Sequence, residues 1–416
     1  MSSFLLALRA SPLRWLLVPL VALDLTLILA RDGYWHGLWG DTGAAGQVPT
    51  LFLGVFAAAA AAWTSSLRRP SEMAETLGAM PRPGPQAELP RIAVVLSVFL
   101  VPYLVGQAVC FAVTAPSWPP GFNQYLGYLL LGVASLLTAT GLGWIIGRLL
   151  SSRWGPAAGA LGWLLVVMAF DNDLSVVNGP ARLQPDLLEI SMRAAVALLL
   201  LVACLWLPYG PRITRVSPLP GVAVVLAVAA TAAAAGTPVI DERHGSGSKT
   251  CVKGPTEICL WPEEAKYKPM AQDVLARAEH LPPVLAKPEA VYSLGLVYTE
   301  DRRWGGDFDM DSGSVWAMAD GLTMAISAET FAACRDDDFK GFEAQLKADD
   351  QSVLALERWL EKRLAGGGEP AYREEGMTDS MAKAVETGKE MADRPEAEQS
   401  EWVTATVRRV LEKYCD

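Results

Sequence analysis

An α-helical polytopic membrane protein, with about seven transmembrane helices and a mainly α (α+β) soluble C-terminal domain, is the fold class this sequence predicts. Three observations predict it. The hydrophobic fraction is 51% against 19% charged residues. Long apolar segments recur through the first 240 residues, each near the length a bilayer span needs. The charges are segregated: residues 1–240 carry 13 Arg, no Lys and 10 acids, whereas 241–416 carry 22 basic and 35 acidic residues. The first part, net +3, is composed for lipid; the second, net −13, is composed for water. That acidity argues against nucleic acid as a partner, since phosphates need clustered Lys and Arg.

The transmembrane domain is read as 1–240, with spans at 13–30, 48–66, 92–114, 124–147, 156–170, 191–208 and 218–237. A span needs about 20 residues, because the hydrocarbon core is about 30 Å thick and a helix rises 1.5 Å per residue. The segment 156–170 is short by that measure, and 218–237 is alanine-rich but long enough. Arg9 and Arg14 before the first apolar run have the look of a signal peptide. The run is long, however, contains Asp24 and is followed by Arg31 and further spans, so an uncleaved helix is expected.

Arginine placement sets the orientation. With the N-terminus inside, ten arginines fall on cytoplasmic sites (among them Arg68, Arg69, Arg91 and Arg148) and three, Arg31, Arg182 and Arg193, fall outside. Seven spans then place the C-terminal domain outside a cell membrane, a conclusion that depends on the count being odd. Four cysteines, Cys251, Cys259, Cys334 and Cys415, lie in that domain, as suits disulfides in an oxidising compartment. Three pairings exist; Cys251–Cys259 with Cys334–Cys415 is the expected one. Tryptophans such as Trp15, Trp39, Trp118 and Trp154 cluster near span ends, where amphipathic rings favour the headgroup layer, with Trp163 an exception.

Within the membrane half, Asp24 is the one carboxylate deep in a predicted span. Such a group is functional or paired by default: a transport-path or interhelix contact, or a neutral acid at a helix interface. Gly141, Gly143, Gly147 and Gly155–Gly159 permit close helix packing, within one chain or between two. The loop 67–91 has Pro70 at a helix start and Met73, Leu77 and Met80 on one side, which suits either a short docking helix for a cytoplasmic motor or a solvated turn.

Residues 241–250 read as a linker and 251–416 as the soluble domain. Pro262 with Glu263 and Glu264 marks a helix start, with the helix running to about 280. A strand is predicted over 291–298 and a second over 313–326. Helices follow at 327–347, 350–365, 377–391 and 396–414, the second with an apolar stripe of Val353, Leu354, Leu356, Trp359, Leu360 and Leu364. Asp307, Asp309 and Asp311 resemble the opening of a calcium loop, but Ser312 and Met318 stand where Gly and Glu are required, leaving only a weak metal candidate. No hydrolase motif accompanies the three histidines, and the Lys249 stretch lacks the glycine of a phosphate-binding loop, so neither enzyme activity nor a cofactor is expected.

The amphipathic stretch Phe4–Arg9, the first two spans and the Arg/Glu-bearing segment before the third resemble ABC-2-type transporter permeases. The extra span and C-terminal domain resemble actinobacterial permease-like proteins with an extracytoplasmic domain. The resemblance implies an exporter's permease subunit, assembled as a homodimer or as a heterodimer with a related permease among membrane lipids. A separate ABC ATPase subunit would energise it, touching Glu72, Met73, Glu75 and Thr76 of the coupling loop. A membrane-anchored extracytoplasmic binding or sensor protein, without transport, is the alternative.

Overall fold

The computed structural model describes residues 3–31, 33–66, 84–150, 153–169, 179–205, 238–243, 245, 248–297, 307–310, 313–334, 351–368 and 378–415. They form two compact units, 1–179 with 183–241, and 180–182 with 242–416.

The first unit is helical. It comprises α1 (Ser3–Ala10), α2 (Leu17–Leu29), α3 (Trp39–Gln47), α4 (Thr50–Ser66), α5 (Gly84–Thr114), α6 (Phe122–Leu150), α7 (Gly155–Ala169) and α8 (Leu187–Leu205). Among the described residues, five helical stretches are long and apolar enough to cross a membrane: Pro12–Leu29, Trp39–Ser66, Glu88–Ser117, Phe122–Leu150 and Leu187–Leu205. The shorter α7 is apolar as well. The second of these stretches begins nine residues before the predicted 48, because the small and polar residues of α3 are all buried and continue the helical path. The exposed large hydrophobic side chains lie between Leu5 and Val202, including Val18, Leu165, Met168 and Leu199. Water would not tolerate so much exposed apolar surface, and lipid does. The chain is a helical membrane protein. The predicted span 218–237 lies outside the described residues.

In lipid the hydrophobic effect does not drive helices together, so close van der Waals packing must. The alanine run of α4 supplies the surface. Ala57, Ala58, Ala61 and Ala62 are fully buried. A Cβ on Gly143 of α6 would lie 2.1 Å from the Ala58 carbonyl oxygen, and one on Gly147 2.2 Å from that of Ala62. On α7 a Cβ at Gly159 would lie 2.7 Å from the Ala58 oxygen, while Trp163 fills the notch left by Gly54. The glycine faces therefore serve packing within the chain.

Contacts mark two ends of this bundle. At one end Gly155 sits beside Ser66 and Ala62. At the other, Gly179 donates its amide to the Asp41 carboxylate at 2.9 Å, and Trp39 Nε1 donates to the Pro119 carbonyl at 2.7 Å. Asp41 and Ser66 are separated by almost the whole Trp39–Ser66 helix. Gly155 and Gly179 thus lie at opposite ends. α8 starts at the Trp39 end, where Pro185 packs on Gly127, and descends until Cys204 meets the Gly141 carbonyl. The Val239 carbonyl accepts the Asp186 amide at 2.9 Å, so by Val239 the chain is back where α8 began.

After the paired short strands β1 (Leu183–Pro185) and β2 (Ile240–Glu242), the second unit has a four-stranded sheet in the order β3–β4–β5–β6, from Thr250–Val252, Glu257–Leu260, Ala290–Ser293 and Asp307–Phe308. The first pair is antiparallel and the others parallel. Cys251 and Cys259 face each other in register and are disulfide-bonded, and Cys334–Cys415 fastens the C-terminus. Helices α9 (Lys268–Glu279), α10 (Val315–Thr330), α11 (Ser352–Ala365), α12 (Asp379–Ala392) and α13 (Glu396–Tyr414) follow. The predicted stripe on α11 is buried throughout, and Trp359 donates to Gln399 of α13 at 2.9 Å. The strand expected over 313–326 is α10 instead. Ser314 caps it by accepting the Trp316 amide, and Met318, Leu322 and Ile326 recur at helical spacing on its buried face.

Gly143→Val forces a side chain onto the Ala58 carbonyl and is expected to destabilise the bundle by about 1–3 kcal/mol or more. Gly155→Ala, whose Cβ meets nothing closer than 3.6 Å, is expected to stay within about 0.5 kcal/mol of the parent. Thermal midpoints of the detergent-solubilised protein check the contrast; equal midpoints would refute the packing argument.

Candidate functional site

The described ends of the predicted coupling loop are Ser66, where α4 stops, and Gly84, where α5 begins. Glu72, Met73, Glu75 and Thr76 lie between them, outside the described residues. What the structure does place there is an ion network. Arg148 of α6, its side chain fully buried, reaches Glu88 of α5 at 2.8 Å. Arg91, one turn further along α5, reaches the same Glu88 oxygen at 3.3 Å, and its second Nη donates to the Thr64 carbonyl of α4. The Trp144 ring lies within 6 Å of both guanidinium carbons. Glu88 and Arg91 together therefore join three helices near the described ends of the loop. A buried charge pair of this kind is costly to break, because the remaining charge cannot be hydrated. Sequence reasoning counted Arg91 and Arg148 only as orientation signals and overlooked Glu88. Its signal was an acid three residues before an arginine at the edge of an apolar run.

Toward the Trp39 end, polar groups cross-link α5 and α6. Tyr103 donates to the Leu129 carbonyl at 2.9 Å, Gln107 to the Tyr103 hydroxyl at 3.0 Å, and Tyr125 to the Gln107 carbonyl at 2.9 Å. Asp24 is fully buried on α2 and faces α5. A Cβ on Gly106 would lie 1.8 Å from its Oδ2, so a side chain there would have to displace the Asp24 carboxylate. Asp24 thus stands at a helix–helix interface. Around Trp39 the rings of Phe111, Trp118, Phe122 and Tyr125 stack, meet edge to face or lie tilted at 5.1–5.5 Å from it. Trp39 is a buried anchor, whereas Trp15, Trp118 and Trp154 are exposed.

In the second unit the 180–182 segment is held by side chains of the domain. Arg243 donates to the Ala181 carbonyl at 2.9 Å and to Glu263 at 2.8 Å, and its guanidinium lies 4.3 Å from the Trp261 ring centre. Arg182 pairs with Asp309 at 2.9 Å. Asp309 is therefore engaged by a cation, Asp307 is exposed on β6, and Asp311 lies outside the described residues, so the three aspartates are not brought together as a metal site among the described residues. Cys251, Glu257 and Cys259 do converge, within 4.8 Å, but the disulfide removes the thiolates a metal would need. Glu264 is buried and accepts the Trp261 amide at 3.1 Å, capping the helical turn that Pro262 opens. Burial pushes its carboxyl up to about 7. Hydrogen bonds from Ser293 and Trp261 oppose the rise, and the nearby Glu263 and Asp309 add to it.

Comparison of the chain with protein-family models, with characterised proteins and with solved structures found no match in any of the three.

Two outcomes follow from these charges. Glu264 binds its proton more tightly folded than unfolded, so its contribution to stability is fully present below its ordinary value and is lost as pH rises through about 7. Glu264→Gln is expected to gain on the parent by up to about 3 kcal/mol at pH 8 and by little near pH 4.5; a constant difference across pH would contradict this. Glu88→Gln is expected to cost about 3–5 kcal/mol, and the double variant Glu88→Gln/Arg148→Met distinctly less than the two single changes added together. Thermal melts of the four proteins measure the coupling, and simple additivity would show the pair to be inert.

Proposed function

We propose that this chain is the permease subunit of an ABC-2-like exporter, crossing the cell membrane seven times with its N-terminus inside, and energised by a separate cytoplasmic ATPase. The observation that carries the reading is the Glu88–Arg148–Arg91 network at the root of the 67–83 loop. A push on a loop rooted in that network is delivered to α4, α5 and α6 together. A solvated turn needs no such anchor. Resemblance of the first two spans to permeases points the same way, and assigns Glu72, Met73, Glu75 and Thr76 to the ATPase contact. A second copy, or a related permease, completes the path.

Several contacts support seven crossings. Gly155 lies at the Ser66 end and Gly179 at the Trp39 end, and the start of α8 and Val239 both lie at the Trp39 end. Together with α2, Trp39–Ser66, α5 and α6, these give an odd number. Ten arginines against three favour the Ser66 end as the cytoplasmic one. Glu242 onward then lies outside, where disulfides persist.

In intact cells treated with a reductant, Cys251 and Cys415 are expected to react with an impermeant maleimide; reaction only after permeabilisation would make the count of crossings even. Purification in mild detergent is expected to carry an ATPase with the chain, and reversal of Glu72 and Glu75 to Lys to release it. Absence of any ATPase would favour the alternative, a membrane-anchored extracytoplasmic binding protein.

A further inference from the structure

The second unit is strongly acidic, yet one of its described cavities, at the C-terminal end of α11, is lined with three cations. Arg277 and His280 come from the end of α9, Lys362 and Arg363 from the last turn of α11, and Asp393 and Glu396 from the junction of α12 and α13. The cavity measures about 510 Å³, within the range of small-molecule sites.

Two of the cations are fixed by backbone. Arg277 Nη1 donates to the Leu364 carbonyl at 2.8 Å, and Lys362 Nζ donates to the Lys389 carbonyl at 3.2 Å. Gly366, at φ +86°, lets the chain turn against the Arg277 guanidinium; a Cβ there would lie 2.5 Å from Cζ. Among the described residues no other acceptor engages the remaining N–H groups of Arg277. The carboxylates that balance the site are loosely placed. Asp393 meets Lys362 at 2.7 Å and Glu396 meets Arg363 at a long 3.5 Å, and their side chains are 69% and 71% exposed. Helix C-termini attract cations on their own account, which explains one or two of them. It does not explain three cations from two helices, Arg277, Lys362 and Arg363, gathered around an open cavity with their counter-ions on its rim.

We propose that this cavity binds a small organic oxyanion, a solute bearing a phosphate or carboxylate group. Arg277 and Arg363 present guanidinium forks to the oxygens and Lys362 supplies a compact charge. The incoming anion displaces Asp393 and Glu396, which swing into water at little cost because they are already mostly exposed. The site stands whether the bundle transports or only anchors, and its test does not involve the ATPase.

The full chain in detergent, at fixed ionic strength, is titrated with glycerol 3-phosphate (followed by phosphorus NMR line width) and with succinate (followed by calorimetry). Saturable one-to-one binding of at least one is expected, and the stronger of the two identifies the headgroup. Arg363→Gln, which removes only a long exposed contact, is expected to weaken it about tenfold. Glu396→Gln, which removes a competing carboxylate, is expected to strengthen it, a gain that misfolding cannot produce. Lys383→Gln, which lines a different groove, is expected to leave it unchanged. No saturable binding of either solute, or equal losses in Arg363→Gln and Lys383→Gln, would overturn the proposal.

Discussion

The approach of α6 and α7 to the alanine face of α4 is the constraint on which the membrane unit rests. Backbone carbonyls at Ala58 and Ala62 occupy the space where side chains of Gly143, Gly147 and Gly159 would be. Helices this close gain dispersion contacts along their whole length, which is the available driving force where lipid surrounds them. Everything lateral follows from that spacing. Trp163 fits the Gly54 notch, and hydroxyls and amides on α5 and α6 come within bonding reach of facing carbonyls.

Among the described residues, charge lies toward the ends of this packed body, with one exception. Arg148 is drawn into the bundle only because Glu88 waits there, and Glu88 is also held by Arg91. The network thereby links α4, α5 and α6 beside Ser66 and Gly84, where the described chain breaks off and resumes. Asp24 is the exception, a carboxylate enclosed between α2 and Gly106. Glycine at 106 provides the room for it, so the two residues constitute one feature of the α2–α5 interface.

The second unit is stabilised in a different manner. Water surrounds it, so burial of the α11 stripe and of the strand residues Ile258, Leu260 and Val291 supplies the hydrophobic term. Disulfides bind a short hairpin and the chain terminus. The Arg243–Glu263–Trp261 cluster holds residues 180–182 within this unit although they are separated from it by more than fifty residues of sequence.

Much of this was legible before any coordinates. Composition alone separates the two solvents, since lipid excludes lysine and acid and water does not. Pro262 with Glu264, the α11 stripe and the ends of α13 are local patterns, and local patterns survive folding. The helix at Val315–Thr330 was misread because its apolar residues are dense enough to fit either period; Ser314 as cap and burial on one face settle it. Other features were not legible at all. The partnership of Glu88 with Arg148, the seating of Asp24 against Gly106, and the meeting of Arg277 with Lys362 and Arg363 join residues from 60 to more than 80 positions apart. Sequence determined which residues belong in lipid, in water and in helices, because solvation and backbone preference act residue by residue. The tertiary structure decided which charges and carbonyls face one another, because that depends on how closely the helices approach.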